Sequence, residues 1–128
     1  MTTTLDLATG PVLLRAANLI VTDGHAKQDY RDDNGACCAA GAIAAASGLT
    51  PADWGETNTP DTGRQAGRAA ALDALRALIH HINPTTRPEA MTRRQAAEWV
   101  ALWNDHPDRT VAQVVTAMRA AAREAVAS

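Results

Sequence analysis

A chain of 128 residues, 46% apolar yet with no Phe, one Tyr and three Trp, fits one domain with a core of alanine and aliphatic side chains. A net charge of −2 and a pI near 6.0 argue against a dedicated nucleic-acid binder, which carries a basic patch or a high pI. Lys27 is the only lysine, so the positive charge is nearly all arginine, as a GC-rich genome encodes.

The N-terminal stretch MTTTLDLATGPVLLRAANLIV has no basic leader, and its apolar part is too broken to span a membrane. The expected location is the cytoplasm, with residues 1–9 as a tail. Pro11 suits the first turn of a helix, whose apolar stripe would be Leu13, Leu14, Ala17, Ile20 and Val21. Asp23-Gly24 ends it. Residues 25–36 form a polar loop in which DDNG is strong turn chemistry, so a small β-hairpin is expected near 27–38. A second helix is expected from Cys37 to Ser47, stopping at Gly48. Thr50-Pro51-Ala52-Asp53 reads as a capped turn that closes Trp54 over the core, before a loop of about ten residues, GETNTPDTG.

The third helix, Thr62 to about Ile82, is the longest. Thr62 and Gln65 make a capping box. Leu72, Leu75, Leu78, Ile79 and Ile82 share one side, while Gly63, Gly67, Ala70 and Ala74 form a small-residue face for close packing. The prolines of NPTTRPEA stop it. Thr92 and Gln95 cap a fourth helix with Ala96, Trp99, Val100 and Trp103 on one face. Thr110 and Gln113 cap a fifth, with Val111, Val114, Val115, Met118, Ala122 and Ala125 inward and Arg119, Arg123 and Glu124 outward. The fold class is therefore mainly α: a single compact bundle of about five helices over 1–128.

Three stretches concentrate chemistry. Cys37 and Cys38 stand at the head of an Ala-rich helix, where backbone N–H groups and the macrodipole favour a thiolate. With Cys38 as nucleophile, His25 or His106 as base and Asp105 as orienting group, the chain would be a hydrolase or acyl-transfer enzyme. The opposing reading is that a free cysteine among alanines is a small buried apolar residue, and that reading is favoured. A Cys37–Cys38 disulfide is geometrically poor. His80 and His81 suit a helix C-terminus. The stretch WNDHPDRT reads first as a connector: Asn104 at a C-cap, Pro107 blocking continuation, Thr110 capping the next helix. Its functional reading is a polar cluster of Asn104, Asp105 and Arg109 beside Trp103, with Asp105 paired to Arg109 or accepting from Tyr30.

No metal site is expected, because the cysteines are adjacent and so are His80 and His81, and neither pair chelates comfortably. YRDDNG has the look of a calcium loop, but Tyr30 stands at the first-ligand place and Gly41 at that of the bidentate Glu, so calcium is rejected. Neither a P-loop nor a G-x-G-x-x-G is present, and no cofactor is expected.

The motif C-x-x-G-A at Cys38–Ala42, with W-N-D-x-x-x-R-T-x-x-x-V further on from Trp103 to Val114, resembles an uncharacterised family of small proteins from actinobacteria and their phages. Tyr30 and Gly35 fit the same pattern, and the resemblance spans most of the chain. The W-N-D segment is its specific part. The family has no assigned function and lends no catalytic residue, but it selects Cys38 over Cys37 and implies an actinobacterial or phage origin.

The leading expectation is a non-catalytic cytosolic interaction or regulatory protein, with a protein partner or small ligand and a tendency to homodimerise because its alanine core is thin. Nucleic acid and membrane are not expected partners. The binding residues would be Tyr30, Cys38, Trp103, Asn104, Asp105 and Arg109, provided that the 23–35 loop and the Trp103–Arg109 connector lie at the same end.

Overall fold

The computed structural model describes residues 6–54 and 62–127. Five α-helices carry the fold: α1 (Thr9–Asp23), α2 (Ala39–Ala46), α3 (Thr62–Ile82), α4 (Arg93–Asp105) and α5 (Val111–Ala127). Short 3-10 turns occupy Pro51–Trp54 and Pro88–Ala90. The mainly-α bundle expected from the periodicity is what the chain forms. No described helix is long and apolar enough to cross a membrane.

The shortest helix is the centre. Every residue of α2 except Ala45 is buried, and its sequence, AAGAIAAA, is hydrophobic all round, as a helix enclosed on all sides must be. Packed around it are α1, α3 and α4, while α5 lies along α1 and α3. Small side chains permit this close approach. A Cβ on Gly67 of α3 would sit 2.6 Å from the Ser47 carbonyl oxygen, so only glycine fits where α3 crosses the end of α2. Ala70 and Ala74 continue that face and are buried, as expected; Gly63, the Thr62 capping box and the 55–61 loop lie outside the described side chains.

Both ends of α2 are closed by side chains. Cys38 is its N-cap, in extended conformation, and its Sγ accepts the Gly41 N–H at 3.4 Å. Arg15 of α1 donates to the Ala46 carbonyl from Nε at 3.2 Å and from Nη2 at 2.8 Å, and Nη2 also reaches the Asp6 carbonyl. The helix therefore begins at Ala39, not Cys37. The expected hairpin is also absent among the described residues. Cys37 makes single bridges to His25 and to Arg31, and no ladder extends from either. The reason is local: Asp32 Oδ1 gathers the N–H groups of Asn34 and Ala36, curling the turn on itself, and the chain enters α2 one residue after Cys37.

The other helices largely obey their patterns. Both remaining capping boxes form: Thr92 with Gln95 at 2.9 and 3.1 Å, and Thr110 with Gln113 at the same distances. Three apolar assignments fail. Leu14 is 44% exposed and Val21 58%, because α1 turns Val12, Leu13, Ala16, Ala17 and Ile20 toward α2 and α5 instead. Val111, 45% exposed, opens α5 ahead of the turn at which Val114 and Val115 enter the core. His80 and His81 stand in the last turn of α3, as expected, and His81 also reaches across to α5. Its Nδ1 meets Glu124 Oε1 of α5 at 2.8 Å.

One buried charge ties the 3-10 turn to the bundle. Asp53 is 2% exposed, and its carboxylate receives Arg64, Arg68 and the Thr50 N–H and hydroxyl. The Arg68 guanidinium lies 3.0 Å away and is itself nearly buried, while Arg93 Nε donates to the Asp53 carbonyl at 2.7 Å. Bonding to Arg64 is the main force that holds the Asp53 acid below the usual carboxylate range, with Thr50 and Arg68 adding to it against the opposing effect of burial. Because the folded-state acid is the stronger one, its contribution to stability is complete above the ordinary value of 3.8 and is lost as pH falls below it. Asp53→Asn should cost about 3–5 kcal/mol in urea unfolding at pH 7, since it leaves Arg68 buried without its counter-charge. That deficit should shrink as the titration is repeated at pH 3 and below; a constant deficit would show that charge is not the cause.

Candidate functional site

The W-N-D segment ends α4 against the 25–36 loop, so the two segments suspected of acting together do share one end of the molecule. Asn104 is wholly buried there. Its Nδ2 donates to the Ala26 carbonyl and to Asp105 Oδ1, both at 3.0 Å. Its Oδ1 accepts the Ala39 N–H at 3.0 Å and the His25 ring at 2.7 Å. Backbone donors and acceptors on both sides fix which way the amide points, and His25 must then present Nε2–H to it. Every hydrogen-bonding capacity of this amide is used. It clamps the loop, the first turn of α2 and the end of α4 together, rather than acting as a simple C-cap.

Asp105 continues the seam. Its Oδ1 accepts the Gln28 N–H at 2.9 Å, holding Gln28 at φ +70°, a left-handed conformation that costs a non-glycine residue energy. Lys27 Nζ reaches the His106 carbonyl at 2.8 Å. The expected Asp105–Arg109 and Asp105–Tyr30 bonds do not form. Arg109 donates to the Trp103 carbonyl at 3.1 Å and stacks on the Trp103 ring, 4.8 Å from its centroid. Trp103 is two residues from both Ala101 and Asp105, which puts it on the opposite face of α4. Trp103 and Arg109 thus form a separate cluster.

Between the loop and α4 lies a cleft of about 190 Å³, lined by Gln28, Asp29, Tyr30, Cys38, Ala101 and Asp105. It brings together Tyr30, Cys38 and Asp105 from the sequence-derived set, and adds Gln28, Asp29 and Ala101. Ala101 was recoverable in principle, standing one helical turn before Asp105; Gln28 and Asp29 carry no sequence signal. Tyr30 reaches the cleft because the chain runs hard against α2. A Cβ on Gly41 would lie 1.8 Å from the Tyr30 carbonyl oxygen. The C-x-x-G-A motif is thereby explained in packing terms: a cysteine cap, then a glycine where a loop crosses the helix.

The thiols are poorly placed for nucleophilic work. Cys38 is 1% exposed, and burial pushes its thiol up to about 11, against the lowering effect of the Gly41 and Ala40 N–H groups. Cys37 is likewise raised, first by burial, and its Sγ donates toward the Gly35 carbonyl. His25 is engaged with Asn104, and His106 Nδ1 accepts the Asp108 N–H at 3.1 Å. Tyr30 is raised too, chiefly by burial and then by Cys38 and Glu98. Among the described residues, no group of three or more His, Cys, Asp or Glu could hold a metal ion. A roomier groove of about 340 Å³ runs over α1 and α2, but its one charged group, Arg15, is committed to the Ala46 carbonyl.

A family model described as a family of unknown function, DUF6197, matches residues 6–124, and the chain belongs to that family. No curated protein and no solved structure matches.

The clamp makes two stability predictions. Asn104→Ala orphans the Ala39 N–H and the Ala26 carbonyl and should cost about 2–6 kcal/mol, at about 1–3 kcal/mol for each buried group left unpaired. Asn104→Asp should fail nearly as badly despite its shape, because an oxygen then faces the Ala26 carbonyl and Asp105. Hydrogen exchange at Ala26, Cys37 and Ala39 should accelerate in both; unchanged protection there would refute the clamp. Gly41→Ala should cost at least the upper end of the ~1–3 kcal/mol typical of overpacking, measured by denaturant midpoint.

Proposed function

We propose that this member of the DUF6197 family is a non-catalytic binding protein whose recognition site is the cleft between the 25–36 loop and the end of α4. One observation carries the reading: the cleft gathers Tyr30, Asp29 and Asp105 around a thiol whose burial opposes ionisation. Nucleophilic cysteines need the opposite, a depressed pKa in a polar setting beside a base. A preformed concavity with a few converging polar groups is instead what binding sites share. The left-handed Gln28 supports the reading, since strain of this kind concentrates where a ligand or partner is engaged.

The occupant is a small ligand or one side chain of a protein partner, because the cleft is smaller than the usual drug-sized pocket of about 300–1,000 Å³. The arginine-for-lysine bias supports an actinobacterial or phage source, and two free thiols suit a reducing cytoplasm. Exposed Leu102 and Val126 are available to a second copy in a homodimer.

Alkylation of each cysteine against pH, read by peptide mass spectrometry on the folded protein, separates this reading from the cysteine-enzyme alternative. Cys38 should stay almost unlabelled at pH 7–8 and react on unfolding. Labelling of folded Cys38 at neutral pH, faster than a free thiol, would favour the alternative, with Cys38 as nucleophile. Fragment titration of the ¹⁵N-labelled chain should give saturable shifts confined to Gln28–Tyr30 and Ala101. Hits that map only elsewhere would remove the cleft from the proposal.

A further inference from the structure

Resting on that assignment of the cleft as the binding site, we propose that it selects a cationic group, an alkylguanidinium or alkylammonium carried by a small molecule or by one side chain of a partner.

The lining contains two carboxylates and no Arg, Lys or His. Asp105 is oriented by two hydrogen bonds to one oxygen: Oδ1 already takes the Gln28 backbone N–H and the Asn104 side-chain amide. Its Oδ2 and the Asp29 carboxylate accept no hydrogen bond among the described residues, so both have capacity for a donor. The nearby cations of the chain are engaged elsewhere. Lys27 is held on the His106 and Pro107 carbonyls, and Arg94 pairs with Glu98 at 3.2 Å. Tyr30 forms another wall, and an aromatic residue is a type of neighbour that favours a cation. Ala101 and the neutral Cys38 thiol complete the lining with surface suited to methylene groups. An anion entering would meet two like charges, and a neutral polar group would leave both carboxylates without a counter-charge. The volume admits about one arginine-sized side chain, not a nucleotide or an extended ligand.

The test uses the whole ¹⁵N-labelled chain and four probes: methylguanidinium, its neutral isostere methylurea, acetate, and N-acetyl-arginine amide. Methylguanidinium should give saturable shifts at Gln28, Asp29, Tyr30 and Ala101 that weaken with added salt. Methylurea and acetate should give none. Asp29→Asn, an exposed position whose side chain no fold contact uses, should weaken binding roughly two- to fivefold. Asp105→Asn should weaken it as well, and the Asp29 variant keeps the test valid if the Asp105 variant is unfolded. Tighter binding of the capped arginine assigns the cation to a partner's side chain, and tighter methylguanidinium assigns it to a small free cation; both support the inference. Equal or stronger shifts from methylurea or acetate would overturn cation selection while leaving the cleft as the binding site. If no probe of any charge shifts these residues, both the inference and the assignment of the cleft fall.

Discussion

The Asn104 side-chain amide is the contact on which this end of the molecule depends. Its four hydrogen bonds join three segments that are far apart in the chain: the loop at His25–Ala26, the first turn of α2 at Ala39, and the end of α4 at Asp105. A buried amide with every donor and acceptor used is stabilising mainly because its loss is expensive, leaving backbone groups unpaired in a place water does not reach. It also sets geometry. Fixing Asp105 beside it fixes Gln28, and the position of Gln28 and Tyr30 against Cys38 and Ala101 is what makes a cleft instead of a flush surface.

A second polar centre does equivalent work on the other side of α2. Asp53 draws Arg64 and Arg68 of α3 and the Thr50 turn to one carboxylate, and its carbonyl holds Arg93 at the head of α4. A core made largely of alanine buries little area per residue. Two directional networks then supply orientation that bulky side chains would supply elsewhere. The arrangement has a cost: a buried ion pair is not a cheap source of stability, and its removal exposes the protein to an uncompensated charge.

The motifs that stand out in the sequence have mostly structural explanations. The cysteine of C-x-x-G-A caps α2, and its glycine yields to the Tyr30 backbone. The asparagine of W-N-D is the clamp, while Trp103 and Arg109 stack on each other away from the cleft. The aspartate binds one oxygen into the seam and lines the cleft. Residues conspicuous by type thus serve packing as much as they line the cleft, whose walls combine Tyr30, Cys38 and Asp105 with the inconspicuous Gln28 and Ala101.

The sequence by itself determined the helices. Capping boxes at Thr92 and Thr110, a 3.6-residue period, and Gly or Pro at the breaks are local signals, and local hydrogen bonding realises them. The tertiary structure decided everything that depends on which face meets which neighbour. It turned Leu14, Val21 and Val111 outward, since the packing phase of a helix is set by its partners. It dissolved the expected hairpin, since Cys37 has a single residue before α2 begins. It assembled Asn104 with Ala39, 65 residues away, and Asp53 with Arg68, 15 away. Periodicity within one element carries no information about such pairings, because the partner atoms are backbone groups or distant charges whose approach is fixed only when the core closes.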